Sequence, residues 1–148
     1  MGVRTTIDID GARPVVRRRA SPGDPAAAAL LESRGRALQA AAGPAVVAVV
    51  RSAPGPHGGW ELVTEYGGPP LAAGRLVGAG ALAAAAAQVA AVLADLHGRG
   101  LAHGRLEREH ILVGPDGNLV LCGFGPGPAS ASDDVAALGR ILGELLGE

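Results

Sequence analysis

One stretch limits what this chain can fold into more than any other: Val92–Gly125, VLADLHGRGLAHGRLEREHILVGPDGNLVLCGFG. It opens as the end of a helix, Leu93–His97, closed by Gly98 and Gly100, residues that take the left-handed conformation after a helix at least cost. A short polar loop, His103–His110, runs straight into the apolar Ile111-Leu112-Val113. Asp116-Gly117 then turns the chain back into Leu119-Val120-Leu121, because Asp-Gly between apolar runs is a strong hairpin signal. Cys122-Gly123-Phe124-Gly125 closes the stretch.

In order and at spacing, Leu93, Leu96, His97, Gly100, Leu101, His103, Leu106, Glu109, Ile111, Leu112, Phe124 and Gly125 fall on a known pattern. The stretch resembles the catalytic core of the protein-kinase fold in its bacterial serine/threonine form, which ends in D-F-G. Three positions depart from it, and they are the chemical ones. Arg105 stands at the catalytic aspartate, His110 at the metal-binding asparagine, and Gly123 at the aspartate of D-F-G. The resemblance therefore implies the frame of an active site without its chemistry.

The rest of the chain can be laid on the same frame. At 148 residues it fits one domain with a real core, shorter than a complete kinase fold. Thr5–Asp10 alternates with Ile7 and Ile9 on one face, Asp10-Gly11 turns, and Pro14–Arg19 returns as a second strand. The resemblance makes these the second and third strands of the small lobe. Only four residues precede Thr5, so the first strand and a glycine-rich phosphate loop are not expected, and no G-x-G-x-x-G occurs there. Pro14–Arg18 looks like the family's V-A-x-K strand, which puts Arg18 at the lysine position and Val16 at the alanine beside an adenine. All 13 basic residues are arginine, and a guanidinium fork does not reproduce a compact ammonium on phosphate. Arg17–Arg19 also reads as a solvated strand end.

Asp24 as N-cap and Pro25 at the first position start a helix over Ala26–Ala42, stopped by Gly43-Pro44. Arg34 falls where the family pairs a glutamate with the strand lysine, and Glu32 reaches that role only by a slip of register. Ala45–Val50 reads as a buried strand and Pro54–Gly59 as a turn. Trp60–Gly68 resembles the strand and hinge between kinase lobes, with Thr64 as gatekeeper and Glu65, Tyr66 and Gly67 as hinge. An ordinary strand and loop accounts for it without any ligand. With Leu112 beneath the ring, Val16, Thr64, Glu65, Tyr66, Gly67 and Leu112 would make the implied nucleotide pocket.

Gly78–Leu96 is a long helix with Leu82, Ala86, Val89, Leu93 and Leu96 on one face. The window Leu76–Ala94 is apolar enough to span a membrane. Its glycine flanks, interior Gln88, alanine content and adjoining Asp95 favour a core helix, so no membrane is expected. After Gly125, Asp133–Gly139 resembles the start of the central helix of the large lobe, with Ser132 as N-cap. Asp134 would then tether the backbone of the catalytic loop. The segment between is too short for peptide docking, no A-P-E occurs, and the later helices of the large lobe have no sequence left. Leu38, His103 and Phe124 match positions that stack into a spine between lobes, with Asp134 supporting it.

The fold expected is α+β: a reduced kinase-like fold over the whole chain, with a small antiparallel-sheet lobe at about 5–66 and a partial helical lobe at 67–148. The function expected is a pseudokinase, a regulatory or protein-binding module. The alternatives are a divergent kinase with weak phosphotransfer and a nucleotide sensor without turnover. No catalytic residue, metal site or cofactor is expected. ATP without magnesium is the remaining candidate, and Glu107 is the one stand-in for a metal ligand or base. His103 and His110 have no accompanying ligand cluster. A net charge of −1 with no basic face speaks against nucleic acid. A single cysteine and no leader-like start suit the cytoplasm. Val135, Leu138, Ile141, Leu142 and Leu145 make an apolar stripe, so a protein partner or homodimer is expected through Asp134–Leu146.

Overall fold

In the computed structural model, residues 2–72, 78–125 and 130–147 are described. The start of the Leu76 window and the segment 126–129 lie outside them. Among the described residues the architecture is α+β, with a four-stranded antiparallel sheet, a two-stranded hairpin and three α-helices. The chain divides into two compact units, Met1–Tyr66 and Gly67–Glu148.

In the first unit, β1 (Val3–Asp10) and β2 (Arg13–Ala20) form a hairpin whose turn uses Gly11 at positive φ. β3 (Val49–Pro54) and β4 (Trp60–Glu65) form a second one, and the strand order is β1-β2-β4-β3. The run Ala45–Val50, expected as one strand, is extended only from Val49. Val46 and Val47 are buried all the same, although they lie outside the strand, Val46 as an isolated bridge residue. Helix α1 (Pro25–Ala40) starts where Asp24 Oδ1 accepts from the Ala27 amide at 3.1 Å. Asp24 Oδ2 also accepts from the Gly2 amide at 2.8 Å, tying the start of the chain to the helix. Ala27, Leu31, Gly35 and Leu38 are its buried face. Gly35 lets the helix come close to the sheet, because a Cβ there would press on the Ser52 side chain.

In the second unit, helix α2 (Gly78–Gly98) ends with Gly100 at φ +76 and the Leu101 amide bonded back to the Leu96 carbonyl at 2.9 Å. Ala85, Val89, Leu93 and Leu96 are buried, one turn apart along a single face. Gln88 Oε1 accepts from the Leu119 amide at 3.0 Å, so the polar residue inside this apolar helix satisfies the edge of the hairpin. Gly80–Gly98 is long and apolar enough, by length and composition alone, to cross a membrane. A 3₁₀ turn (Arg108–His110) leads into β5 (Ile111–Val113), paired with β6 (Leu119–Leu121). Helix α3 (Ala131–Leu146) packs on α2. Its N-cap is Ser130 and not Ser132: Ser130 Oγ accepts from the Asp133 amide at 3.1 Å. Asp134, Ala137, Ile141 and Leu145 face inward on α3. The expected stripe therefore splits. Ile141 and Leu145 are core, Leu138 and Leu142 are half-buried and Val135 is 61% exposed, with Leu146, next to the stripe, at 71%.

Candidate functional site

The loop between α2 and β5 is held by one carboxylate. Asp134, buried at 1% exposure, reaches from α3 and accepts from the His103 amide at 2.8 Å and the Gly104 amide at 3.0 Å. His97 Nε2, at the end of α2, lies 2.9 Å from the same carboxylate and is its donor, since a carboxylate only accepts. Burial pushes Asp134 up, but the His97 hydrogen bond and the two amides outweigh it and hold the group below the usual carboxylate range. One side chain thus fastens a helix end, a loop backbone and α3 together.

His103 is wholly buried in the same cluster. Its Nε2 lies 2.7 Å from the Cys122 carbonyl, which can only accept, so Nε2 carries the proton. Nδ1 then accepts from the Arg105 amide at 3.1 Å. Both nitrogens are satisfied in the neutral ring, and burial drives its pKa down to about 4. The ring packs 4.4 Å from Phe124, centroid to centroid. His103 is a structural histidine of the core.

His110 and Gly123 pack directly against each other. His110 Nδ1 donates to the Arg105 carbonyl at 2.6 Å, which turns its ring across the start of Cys122–Gly125. Gly123 has φ +67, and a Cβ placed on it would collide with the His110 ring. The imidazole fills the volume into which a carboxylate at 123 would project. Arg105 packs on the other side, where a Cβ on Gly125 would press on its Cγ at 2.9 Å. A cavity of about 410 Å³ beside the loop is lined by Arg105, Glu107, Asp133 and Arg140 among others. Among the described residues, no group of three His, Cys, Asp or Glu side chains is placed to hold a metal ion. Glu107 lies 4.0 Å from His110 Nδ1 and is exposed.

The residues expected around a nucleotide divide between the two units. In the first, Val16 and Thr64 are directly opposed across β2 and β4. Thr64 is buried, Glu65 pairs with Arg13 at 3.6 Å, and Tyr66 is 40% exposed. Arg18 is half-buried on the same strand face as Val16, and Leu38 is in the core of α1. Glu32 is bonded to Arg36 one turn along the helix at 3.3 Å. In the second unit, Gly67 precedes the bridge that Pro70 makes to Leu112, and Leu112 pairs with Val120.

One feature was not anticipated from the sequence. Glu61, on β4, is only 2% exposed, yet three arginines converge on it. Arg19 Nε is 2.7 Å from one oxygen and Arg17 Nη1 is 2.8 Å from the other, with Arg51 Nη1 at 3.7 Å. Arg17 also pairs with Asp8 at 3.0 Å. Burial pushes Glu61 up, and the Arg19 hydrogen bond with the charges of Arg17, Arg19 and Arg51 brings it below the usual range. Arg17–Arg19 is therefore more than a solvated strand end. The signal available was alternation: Arg17 and Arg19 share a face on which Glu61 stands directly opposite Arg19.

Compared with known proteins, the sequence matches no protein-family model and no curated protein.

Proposed function

We propose that this chain is a pseudokinase: a catalytically inactive, protein-kinase-like domain of the cytoplasm that acts as a regulatory module by binding a protein partner or a second copy of itself. The observation that carries the reading is the packing of His110 against Gly123. In the pattern the sequence resembles, these two positions hold the metal. Phosphoryl transfer in that fold is almost entirely positioning and charge stabilisation around magnesium and phosphate. Here the ring of one residue fills the space of the other's missing carboxylate, and Arg105 stands at the position of the base. The anchoring of the loop by Asp134 persists without that chemistry, as expected of a frame kept for its shape. The outward side of α3, with Val135 and Leu146 exposed and Leu138 and Leu142 half-buried, is the surface assigned to the partner.

Thermal unfolding with ATP, with and without magnesium, tests the loss of catalysis. Stabilisation grows with the logarithm of ligand over dissociation constant, so even weak binding registers at high ligand. No magnesium-requiring shift is expected, and a clear one overturns the reading. Light scattering at micromolar concentration tests association. Wild type is expected as a dimer or with a captured partner, and Leu138→Glu with Leu142→Glu as neither. A monomeric, partner-free wild type overturns the binding role.

A further inference from the structure

The two outer edges of the four-stranded sheet are built differently. On β3 the register shifts between Val49 and Arg51, and the strand ends in Pro54. A bulge and a proline both discourage the addition of a further strand. β1 is the other edge. It runs for 8 residues in unbroken register with β2 and holds no proline. Every second residue along it turns its amide and carbonyl away from β2, and among the described residues no strand takes them up. Its apolar face is open as well. Helix α1 packs on β2, β3 and β4, and Ile7 and Ile9 are left 65% and 69% exposed.

The opposite face of the strand carries Arg4, Thr6, Asp8 and Asp10. On that face of the sheet most charges are matched: Glu61 takes Arg17, Arg19 and Arg51, Asp8 takes Arg17, and Glu65 takes Arg13. Left over are Arg4 and Asp10, exposed near opposite ends of β1, whose side chains make no hydrogen bond or ion pair among the described residues. Arg4 stands opposite a like charge, Arg19, and Asp10 stands opposite Arg13, which is paired with Glu65.

A strand with a free cation at one end and a free anion at the other is complementary to itself when run antiparallel. With Ile7 opposite its counterpart in a second copy, Arg4 falls opposite Asp10 in two equivalent pairs, and Thr5 falls opposite Ile9. Sliding one copy by two residues either sets Arg4 against Asp8, already held by Arg17 at 3.0 Å, or sets Asp8 against Asp8. Sliding it by one turns the apolar face of one copy onto the charged face of the other. The register centred on Ile7 answers both free charges and joins the two apolar faces.

We propose that β1 pairs edge to edge with β1 of a second copy, antiparallel and centred on Ile7, so that the two sheets continue into one across a two-fold axis. The pairing lies in the first unit and rests neither on the pseudokinase reading nor on the α3 surface. A lone strand edge buries less than a standard interface, so its dissociation constant is expected on the order of 0.1 mM. The α3 surface is read at micromolar concentration in wild type, and either can fail alone.

The parent for the test is the full chain carrying Leu138→Glu and Leu142→Glu, so that α3 does not contribute. Sedimentation equilibrium from micromolar to millimolar concentration should show a monomer at the low end and a dimer at the high end. Arg4→Asp alone, or Asp10→Arg alone, should weaken the dimer by about tenfold, because each reversal opposes like charges in both equivalent pairs. An equimolar mixture of the two reversed chains should regain the parent's affinity, since opposite charges then meet at every pair. The chain carrying both changes should regain it too. Damage to the fold cannot produce that recovery, because each component of the mixture carries a reversal. A parent that stays monomeric at millimolar concentration overturns the proposal. So do single reversals that associate like the parent, or a mixture that associates no better than its components.

Discussion

Glu61 and Asp134 are both carboxylates shut away from water, one in each unit, and they are compensated in opposite ways. Glu61 is met by guanidiniums on neighbouring strands, long side chains that still reach solvent: Arg19 and Arg51 keep about half their side-chain surface exposed. Asp134 is met by an imidazole and by two backbone amides, which cannot move without moving the chain. The first arrangement is redundant, because three cations share one anion. The second is singular, because one anion satisfies several donors. A redundant cluster loses a member cheaply, whereas a singular one leaves buried donors stranded.

The largest effect should come from the singular side. Asp134→Ala strands the His103 and Gly104 amides, and we expect a loss of about 3–5 kcal/mol in urea unfolding at neutral pH. Asp134→Asn should lose less, since its carbonyl oxygen still accepts one of them. A cost for Asp134→Ala no greater than that for a change at Glu61 would break the comparison.

Next comes acid. His103 binds its proton near pH 6.5 when unfolded but only near pH 4 when folded, so below pH 6.5 the unfolded chain is the one that gains protons. Its contribution is complete above pH 6.5 and lost as pH falls towards 4, amounting to about 3 kcal/mol across that window. Asp134 and Glu61, both held below their usual range, add to the loss only further down, once their unfolded forms protonate. Stability measured from pH 7 to 4 should therefore begin to decline in the histidine range, and His103→Phe should flatten that part of the curve. A wild type equally stable at pH 6.5 and 4.5 would show that the buried ring is not held neutral.

The smallest of the three is Glu61→Gln, expected at about 1–3 kcal/mol. The amide still accepts from one arginine, and the others turn to solvent. Its cost should shrink with added salt, unlike that of Asp134→Ala, because screening reaches half-exposed cations and not buried amides.

The two carboxylates also mark where the reach of local sequence pattern ends. Local signals were legible: Asp24-Pro25 starts a helix, Gly100 ends one, and Asp116-Gly117 turns a hairpin. Each acts within a few residues, where backbone preference and side-chain reach suffice. The α+β class with a small antiparallel sheet followed from such pieces. Less legible was whatever depends on a neighbour distant in sequence. Val46 and Val47 look like strand residues and are buried without belonging to one, since apolar character reports burial before pairing. Ser130 wins the cap from Ser132 by two residues, a margin finer than sequence pattern resolves. Glu61 was not singled out within the strand and hinge stretch Trp60–Gly68. Its burial arises only when β2 and β3 bring three arginines over it. His97 was noted as a motif position, but its bond to a carboxylate 37 residues away had no local trace.

The contact between His110 and Gly123 also imposes an order on how this chain can change. While the imidazole stands, position 123 admits no side chain at all, whatever that side chain would contribute. The backbone angle there is the lesser obstacle, since aspartate and asparagine are the residues after glycine that best tolerate left-handed φ. The ring is the greater one, because its Nδ1 is pinned to the Arg105 carbonyl and cannot swing aside without giving up that bond. A carboxylate can enter at 123 only after position 110 has been emptied, so the two positions form a ratchet: any route to an acidic residue begins at the histidine, never at the glycine.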